Sequence, residues 1–362
     1  MAEELKTWFD RAFFNRFADA LQKAAPGFQR KGFVADALRG LDDLELMDRL
    51  RRAAELCGRH LPGGYGEQLE VIKAVMPGYA GEFRALIGPE FVARFGRDDP
   101  GRSLAALKEL TCHGSAEFAI RHFLRDDFVG TMKHMRRWAR DPNHHVRRLA
   151  SEGCRPRLPW SFRLERLIED PGPALPILEE LKADPELYVR KSVANHLNDI
   201  AKDHPGRMLD LVEGWDRNDP HTAWIVRHGC RSLVKQGDQR ALDLLGFSGK
   251  PEAEVVGLSA TPTKVSWEGT VTLAFEVVSR STKEQRLAVD YVVHYRKANG
   301  TTAPKVFKLK EITLQPGARL AAKTRRSLQE RTTRRHYPGE HGIVIQVNGY
   351  PCGETAFTLL AP

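Results

Sequence analysis

The chain has 362 residues, 41% hydrophobic and 28% charged, with a net charge of +9. That is too long for one compact core and comfortable for two domains, and it has the composition of ordinary globular protein rather than a disordered or fibrous chain. No run of eighteen apolar residues offers a membrane span. The five cysteines lack a CxxC pair and the thirteen histidines lack ligand spacing, which excludes a disulfide framework or zinc knuckle and leaves no metal and no cofactor expected.

The opening residues, MAEELKTWFDRAFF, carry acids where a signal peptide needs basic residues, so the reading is cytoplasmic. Leu5, Trp8, Phe9, Phe13, Phe17 and Leu21 form one helical stripe, predicting a single amphipathic helix that Pro26-Gly27 ends. Further helices are expected over 33–39, 43–59, 65–76 and 82–95, each set off by Gly or Pro.

The middle of the chain repeats itself. Asp141-Pro142-Asn143-His144-His145-Val146-Arg147-Arg148 matches Asp184-Pro185-Glu186-Leu187-Tyr188-Val189-Arg190-Lys191, forty-three residues later. Looser copies start at Asp219-Pro220 and at Asp99-Pro100. The aspartate is expected to cap a helix, with proline in the first turn and valine packed on the previous helix. A period near forty is that of HEAT-type helical pairs, which stack into a solenoid with a concave face.

After Gly249 the period changes to two. Strands are expected over 255–259, 270–278, 288–295, 305–309, 319–324, 342–347 and 354–359, with turn signals such as Gln315-Pro316-Gly317 and Asn348-Gly349 between them. About seven short strands in so short a stretch read as an immunoglobulin-like β-sandwich, without the Cys…Trp…Cys spacing of antibody domains. The fold class is therefore an α-helical HEAT-like repeat domain (1–249) followed by a β-sandwich (250–362). From Pro251 onward sixteen Lys and Arg face ten Asp and Glu, a basic balance that suits a polyanion partner.

Registering the repeats places Arg148 with Lys191 and Glu152 with Asn195. A basic line, continued by Arg147, Arg190, Arg227 and Arg231, then runs beside Glu152, Asp199 and, one repeat earlier, Glu117. Two readings stand for each. Arg147 and Arg190 either contact phosphate or tie neighbouring repeats together. Arg148–Glu152 and Glu117–Arg121 have the spacing of ordinary surface pairs. Trp160 ends the interrupting run Arg155-Pro156-Arg157-Leu158-Pro159-Trp160, either as a core plug or as an aromatic platform facing a ligand. In the sandwich, Arg325-Arg326 and Arg331, Arg334, Arg335 make the densest positive run, expected on loops near Tyr337.

The D-P-x-x-x-V-R-R…E-G-C-R-P-R-L-P-W segment, the D-P-E-L-Y-V-R-K-S-V-A-N-H-L-N-D-I-A-K-D-H-P segment and the sandwich tail resemble bacterial alkylpurine DNA glycosylases of the AlkC/AlkD superfamily, the tail favouring the AlkC branch. The resemblance covers essentially the whole chain. It implies removal of cationic N-alkylated bases from double-stranded DNA by a monomer, with 3-methyladenine as the shared substrate and 3-methylcytosine a candidate second. It also implies DNA held on the concave face without deep base flipping. The sister branch carries an aspartate flanked by tryptophans on the helix matching 116–121; here that position is Glu117, between Ala116 and Phe118, and a second tryptophan is replaced by Asn195. The expected catalytic set is Glu117, Asp199, Trp160 and Glu152. The expected DNA contacts are Arg147, Arg148, Arg155, Arg157, Arg190, Lys191, Asn195, Arg227, Arg231, Arg325, Arg326, Arg334 and Arg335. A non-enzymatic scaffold for damaged or branched DNA, or for a protein partner, is the alternative.

Overall fold

The computed structural model describes residues 2–247, 249–330 and 335–362. The first expected helix is two. Ala2–Thr7 ends, and Arg11–Ala24 begins after Asp10, whose carboxylate accepts a hydrogen bond from the Phe13 N–H at 2.7 Å. An aspartate at an N-cap is a start signal, and it outweighed the continuous apolar stripe. Phe9, Phe13, Phe17 and Leu21 are fully buried, while Trp8, at the break, is 43% exposed. The next helices are Arg30–Leu38, Leu46–His60, Tyr65–Val75 and Ile87–Phe95, the last preceded by a 3-10 turn.

The repeats pack as their motif requires. Helix His144–Glu152 lies against Leu187–Ile200, which lies against Pro220–Gly229. Val146, Val189 and Val226 are all buried at those contacts. Asp99 and Asp219 cap their helices, accepting from Arg102 and Thr222 N–H groups. Asp141 and Asp184 do not. Each accepts from the N–H two residues on, at 2.9 Å, and the helices start later, at His144 and Leu187. Their second oxygens go to cations of the preceding repeat: Asp141 to Lys108 at 2.7 Å and Asp184 to Arg147 at 2.6 Å.

The chain separates into two compact units. One comprises Met1–His204 and Gly214–Gly229, the other Pro205–Glu213 and Cys230–Pro362. In the second, strands β1 (Ala253–Thr261), β3 (Thr270–Ser279) and β6 (Arg319–Ser327) form one sheet in the order β1-β3-β6. Strands β2 (Lys264–Val265), β4 (Gln285–Arg296), β5 (Thr302–Leu314), β7 (Gly339–Val347) and β8 (Tyr350–Leu359) form the other, in the order β2-β8-β7-β4-β5. Alternate residues point inward, so Leu273, Phe275 and Val277 of one sheet meet Tyr291, Val293, Ile343, Ile345 and Phe357 of the other. β2 is the strand that the period-two pattern missed; two residues are too few to show alternation.

The Asn348-Gly349 turn joins β7 to β8 with φ of 48° and 78°. That pair of positive angles is what a two-residue hairpin of this kind needs. A Cβ on Gly349 would lie 2.6 Å from the Cα of Gly237, a backbone atom that cannot swing aside. Gly349→Ala is therefore expected to destabilise the second unit by about 1–3 kcal/mol, read as a lowered denaturant midpoint. An unchanged midpoint would mean the two glycine backbones do not touch.

Candidate active site

The interrupting segment is held by one side chain. Arg121 is fully buried. Its Nη1 donates to the carbonyls of Gly153 and Arg155, at 3.1 and 2.6 Å, and its Nη2 to the carbonyl of Phe162. Its guanidinium lies 5.5 Å from the Phe162 ring centre. Burial pulls Arg121 down to about 10, so it remains a cation at neutral pH. The expected surface pair Glu117–Arg121 does not form, because Arg121 points into the fold. Between the clamped carbonyls the chain runs in turns to Trp160, whose φ of 63° is left-handed, uncommon for a bulky residue. Trp160 is 56% exposed and meets Phe83 edge-on at 6.3 Å, so it is no core plug.

The carboxylates belong to one chain of alternating charge. Glu117 lies in the turn before helix Ile120–Asp126. It accepts from Ser115 Oγ at 2.6 Å and from Arg148 Nη1. Arg148 Nη2 stands 3.5 Å from Glu152 Oε1. Arg155 Nη1 donates to the same Oε1 at 2.6 Å, while its Nε donates to Asp199 Oδ2 at 2.9 Å. Lys202 closes the series on Asp199 Oδ1 at 2.9 Å. Burial pulls Arg148 and Arg155 down, but the flanking acids outweigh it and hold both above their ordinary value.

A cleft of about 860 Å³ opens over this series. Glu117, Glu152, Arg155 and Trp160 line it, with Tyr188 and Phe83. Asp199 does not line it. At 2% exposure, it lies behind Arg155 with both oxygens occupied. The sequence set Asp199 beside the basic line that Lys191 belongs to, with Glu152 and Glu117. Lys191 is exposed and Asn195 half-buried, but the helix is covered by repeats on two sides and its last turn is buried.

Arg147 and Arg190 take the tying geometry. Arg147 is bidentate to Asp184 and donates to the carbonyls of Asp141 and Pro142. Arg190 repeats the second half, donating to the carbonyls of Asp184 and Pro185. Arg157 is bidentate to Asp203. Arg227 is exposed and Arg231 half-buried. In the second unit Arg325 and Arg326 are on strand β6, not on a loop. Arg325 is exposed; Arg326 donates to the Tyr295 hydroxyl at 2.9 Å and covers the Phe307 ring. Arg335 is exposed, whereas Arg331 and Arg334 lie outside the described residues. Ser115, Phe83 and Tyr188 were not singled out from the sequence, and Arg121 only as a surface partner of Glu117. Of these only Tyr188 carried a signal, since it occupies the register position of His145. No helix of the described residues is long and apolar enough to cross a membrane.

Comparison with known proteins matches residues 109–233 to the family described as DNA alkylation repair enzyme. Residues 254–361 match the family described as uncharacterised protein YhaZ, C-terminal Ig-like domain. The chain is 34% identical to the uncharacterized protein YhaZ of Bacillus subtilis over 96% of both chains. It is 46% identical to the Pseudomonas fluorescens alkylpurine DNA glycosylase AlkC, solved bound to DNA containing an abasic site analog. That likeness covers 99% of each chain with a TM-score of 0.96.

His196 braces the site from within. It is fully buried, and its Nδ1 lies 3.0 Å from the carbonyl of Ser151, the residue before Glu152. Burial holds it down to about 3, so the folded imidazole is neutral. Below roughly pH 6.5 the unfolded chain takes up a proton that the folded chain refuses. Stability is therefore lost as pH falls, by up to about 1.4 kcal/mol per pH unit. A His196→Gln variant is expected to show a flatter fall of its urea midpoint between pH 6.5 and 4.5. Parallel curves for the two proteins would contradict a buried neutral histidine.

Proposed function

The chain belongs to the AlkC-type alkylpurine DNA glycosylases, and from that premise we propose that it hydrolyses the N-glycosidic bond of cationic N-alkylated bases in double-stranded DNA. The proposed substrates are 3-methyladenine and, as a second, 3-methylcytosine. An N3-alkylated base already carries the positive charge that makes it a good leaving group, so no strong general acid is needed. The reaction needs stabilisation of an oxocarbenium-like sugar and a positioned water, and carboxylates supply both. The supporting observation is Glu117, a carboxylate lining the cleft that also holds the exposed Trp160. In this reading Glu117 faces the deoxyribose and Trp160 packs against the sugar or the cationic base.

Glu152, also lining the cleft, is the second candidate for orienting water. Asp199 acts through Arg155, which it shares with Glu152. A carboxylate paired with its own cation is held in place when DNA phosphates approach, and loss of that cation would strand it. Lys191, Arg227, Arg325 and Arg335, exposed at the surface, are proposed to contact phosphates. Catalysis without deep base flipping fits a site in an open cleft, which the sugar can reach from the duplex.

Release of free base from randomly methylated duplex DNA tests the reading. Glu117→Gln and Asp199→Asn are each expected to slow single-turnover release by about 10²–10³-fold, and Trp160→Ala by at least about tenfold, with affinity for abasic-analog DNA kept. Wild-type rates in both acid variants would overturn the catalytic assignment. For the DNA contacts, log K should fall linearly with log salt; a flat line would remove the phosphate reading.

A further inference from the structure

Glu117 is set in the connector between helices Pro100–Leu110 and Ile120–Asp126, and that connector is pinned along its length. The Ala116 N–H donates to Thr111 Oγ1 at 3.3 Å, and the His113 carbonyl accepts from the Gly81 N–H at 2.9 Å. A Cβ on Gly114 would lie 2.6 Å from the carbonyl carbon of Ala85, so two backbones press together there. Ser115 follows directly. Its Oγ stands 2.6 Å from Arg148 Nη1 and 2.6 Å from Glu117 Oε2. A guanidinium can only donate and a carboxylate can only accept, so the hydroxyl accepts from Arg148 and donates to Glu117. Both side-chain hydrogen bonds to Glu117, from Ser115 and from Arg148, fall on Oε2; among the described residues none falls on Oε1.

We propose that Ser115 is a positioning residue that commits Oε2 of Glu117 and so presents Oε1 to the deoxyribose. The proposal rests on the glycosylase reading. The terminal torsion of a glutamate is broad and two-fold, so its two oxygens exchange places easily. Arg148 alone does not choose between them, because the same guanidinium also reaches Glu152 at 3.5 Å. A hydroxyl on a pinned connector supplies a second fixed point and sets the plane of the carboxylate. It brings no positive charge of its own to compete with the sugar cation. Orientation of this kind counts most in the transition state, where one oxygen has to stand at a set distance from the reacting carbon.

The test uses the full chain, single-turnover release of free base from methylated duplex DNA, and the Kd for a duplex with a tetrahydrofuran abasic analog. Ser115→Ala should slow release by about 10–100-fold and leave that Kd unchanged. Ser115→Thr, which keeps a hydroxyl, should restore most of the lost rate. Ser115→Cys, similar in size but a weak donor, should fall between the two, and it decides the matter if Ser115→Ala folds poorly. Because Ser115 acts through Glu117, adding Ser115→Ala to Glu117→Gln should slow release no further than Glu117→Gln alone. A wild-type rate in Ser115→Ala overturns the proposal, and so does a full further loss in the double variant, since the hydroxyl would then act apart from Glu117. A Kd that weakens in step with the rate overturns it too, by making Ser115 a DNA contact. If the wild type releases no base, the glycosylase reading fails and the proposal falls with it; a full-rate Ser115→Ala beside an active wild type removes the proposal alone.

Discussion

A buried guanidinium held by main-chain carbonyls is the constraint on which the site is built. Stripping the water from Arg121 is costly unless its N–H groups find acceptors, and those of Nη1 and Nη2 do while Nε finds none. The acceptors it has are main-chain carbonyls at 153, 155 and 162, so the segment between them has little freedom to move without leaving the cation bare. That segment carries Arg155 at one end and Trp160 near the other. The left-handed backbone at Trp160, a conformation that costs on the order of 1–3 kcal/mol when it must be held, is stable because the chain on both sides of it is clamped.

From Arg155 the order spreads by charge. Acid and base alternate from Glu117 through Arg148, Glu152, Arg155 and Asp199 to Lys202. A buried ion pair is poor evidence of stability, but removing one member strands its partner. The series behaves as a unit for that reason. It lets three carboxylates persist in a protein whose partner is a polyanion, with one of them, Glu117, held at the cleft by a cation and a hydroxyl.

Much of the fold was legible in the residues. Period two gave seven of the strands, because a sandwich strand has one face in the core and one in water. The D-P repeat located the stacked helices, though Asp141 and Asp184 turned out to spend one oxygen on an early turn and the other on a neighbouring repeat. The site was legible in composition and not in depth. Glu117, Glu152 and Trp160 share a cleft, but Asp199, set beside the same basic line, is buried because repeats cover its helix on two sides and Arg155 and Lys202 take its oxygens. Arg121 was hidden for a related reason. Its spacing from Glu117 is that of a surface pair, and only the tertiary path of the 153–162 segment reveals that it turns inward. Trp8 broke an otherwise continuous stripe, and a capping aspartate two residues later decided the matter.

The two compact units are interleaved along the chain: Pro205–Glu213 belongs to the second, and Gly214–Gly229 returns to the first. Arg240 reaches back to Asp210 at 2.6 Å and Glu213 at 2.7 Å. During synthesis the Pro205–Glu213 helix leaves the ribosome before the chain that will cover it, a wait on the order of seconds at ordinary elongation rates. The first unit, in turn, cannot close its last repeat until the chain has passed through a piece of the second. Neither unit is therefore a contiguous stretch of the gene, and no single cut in the chain would release one of them whole.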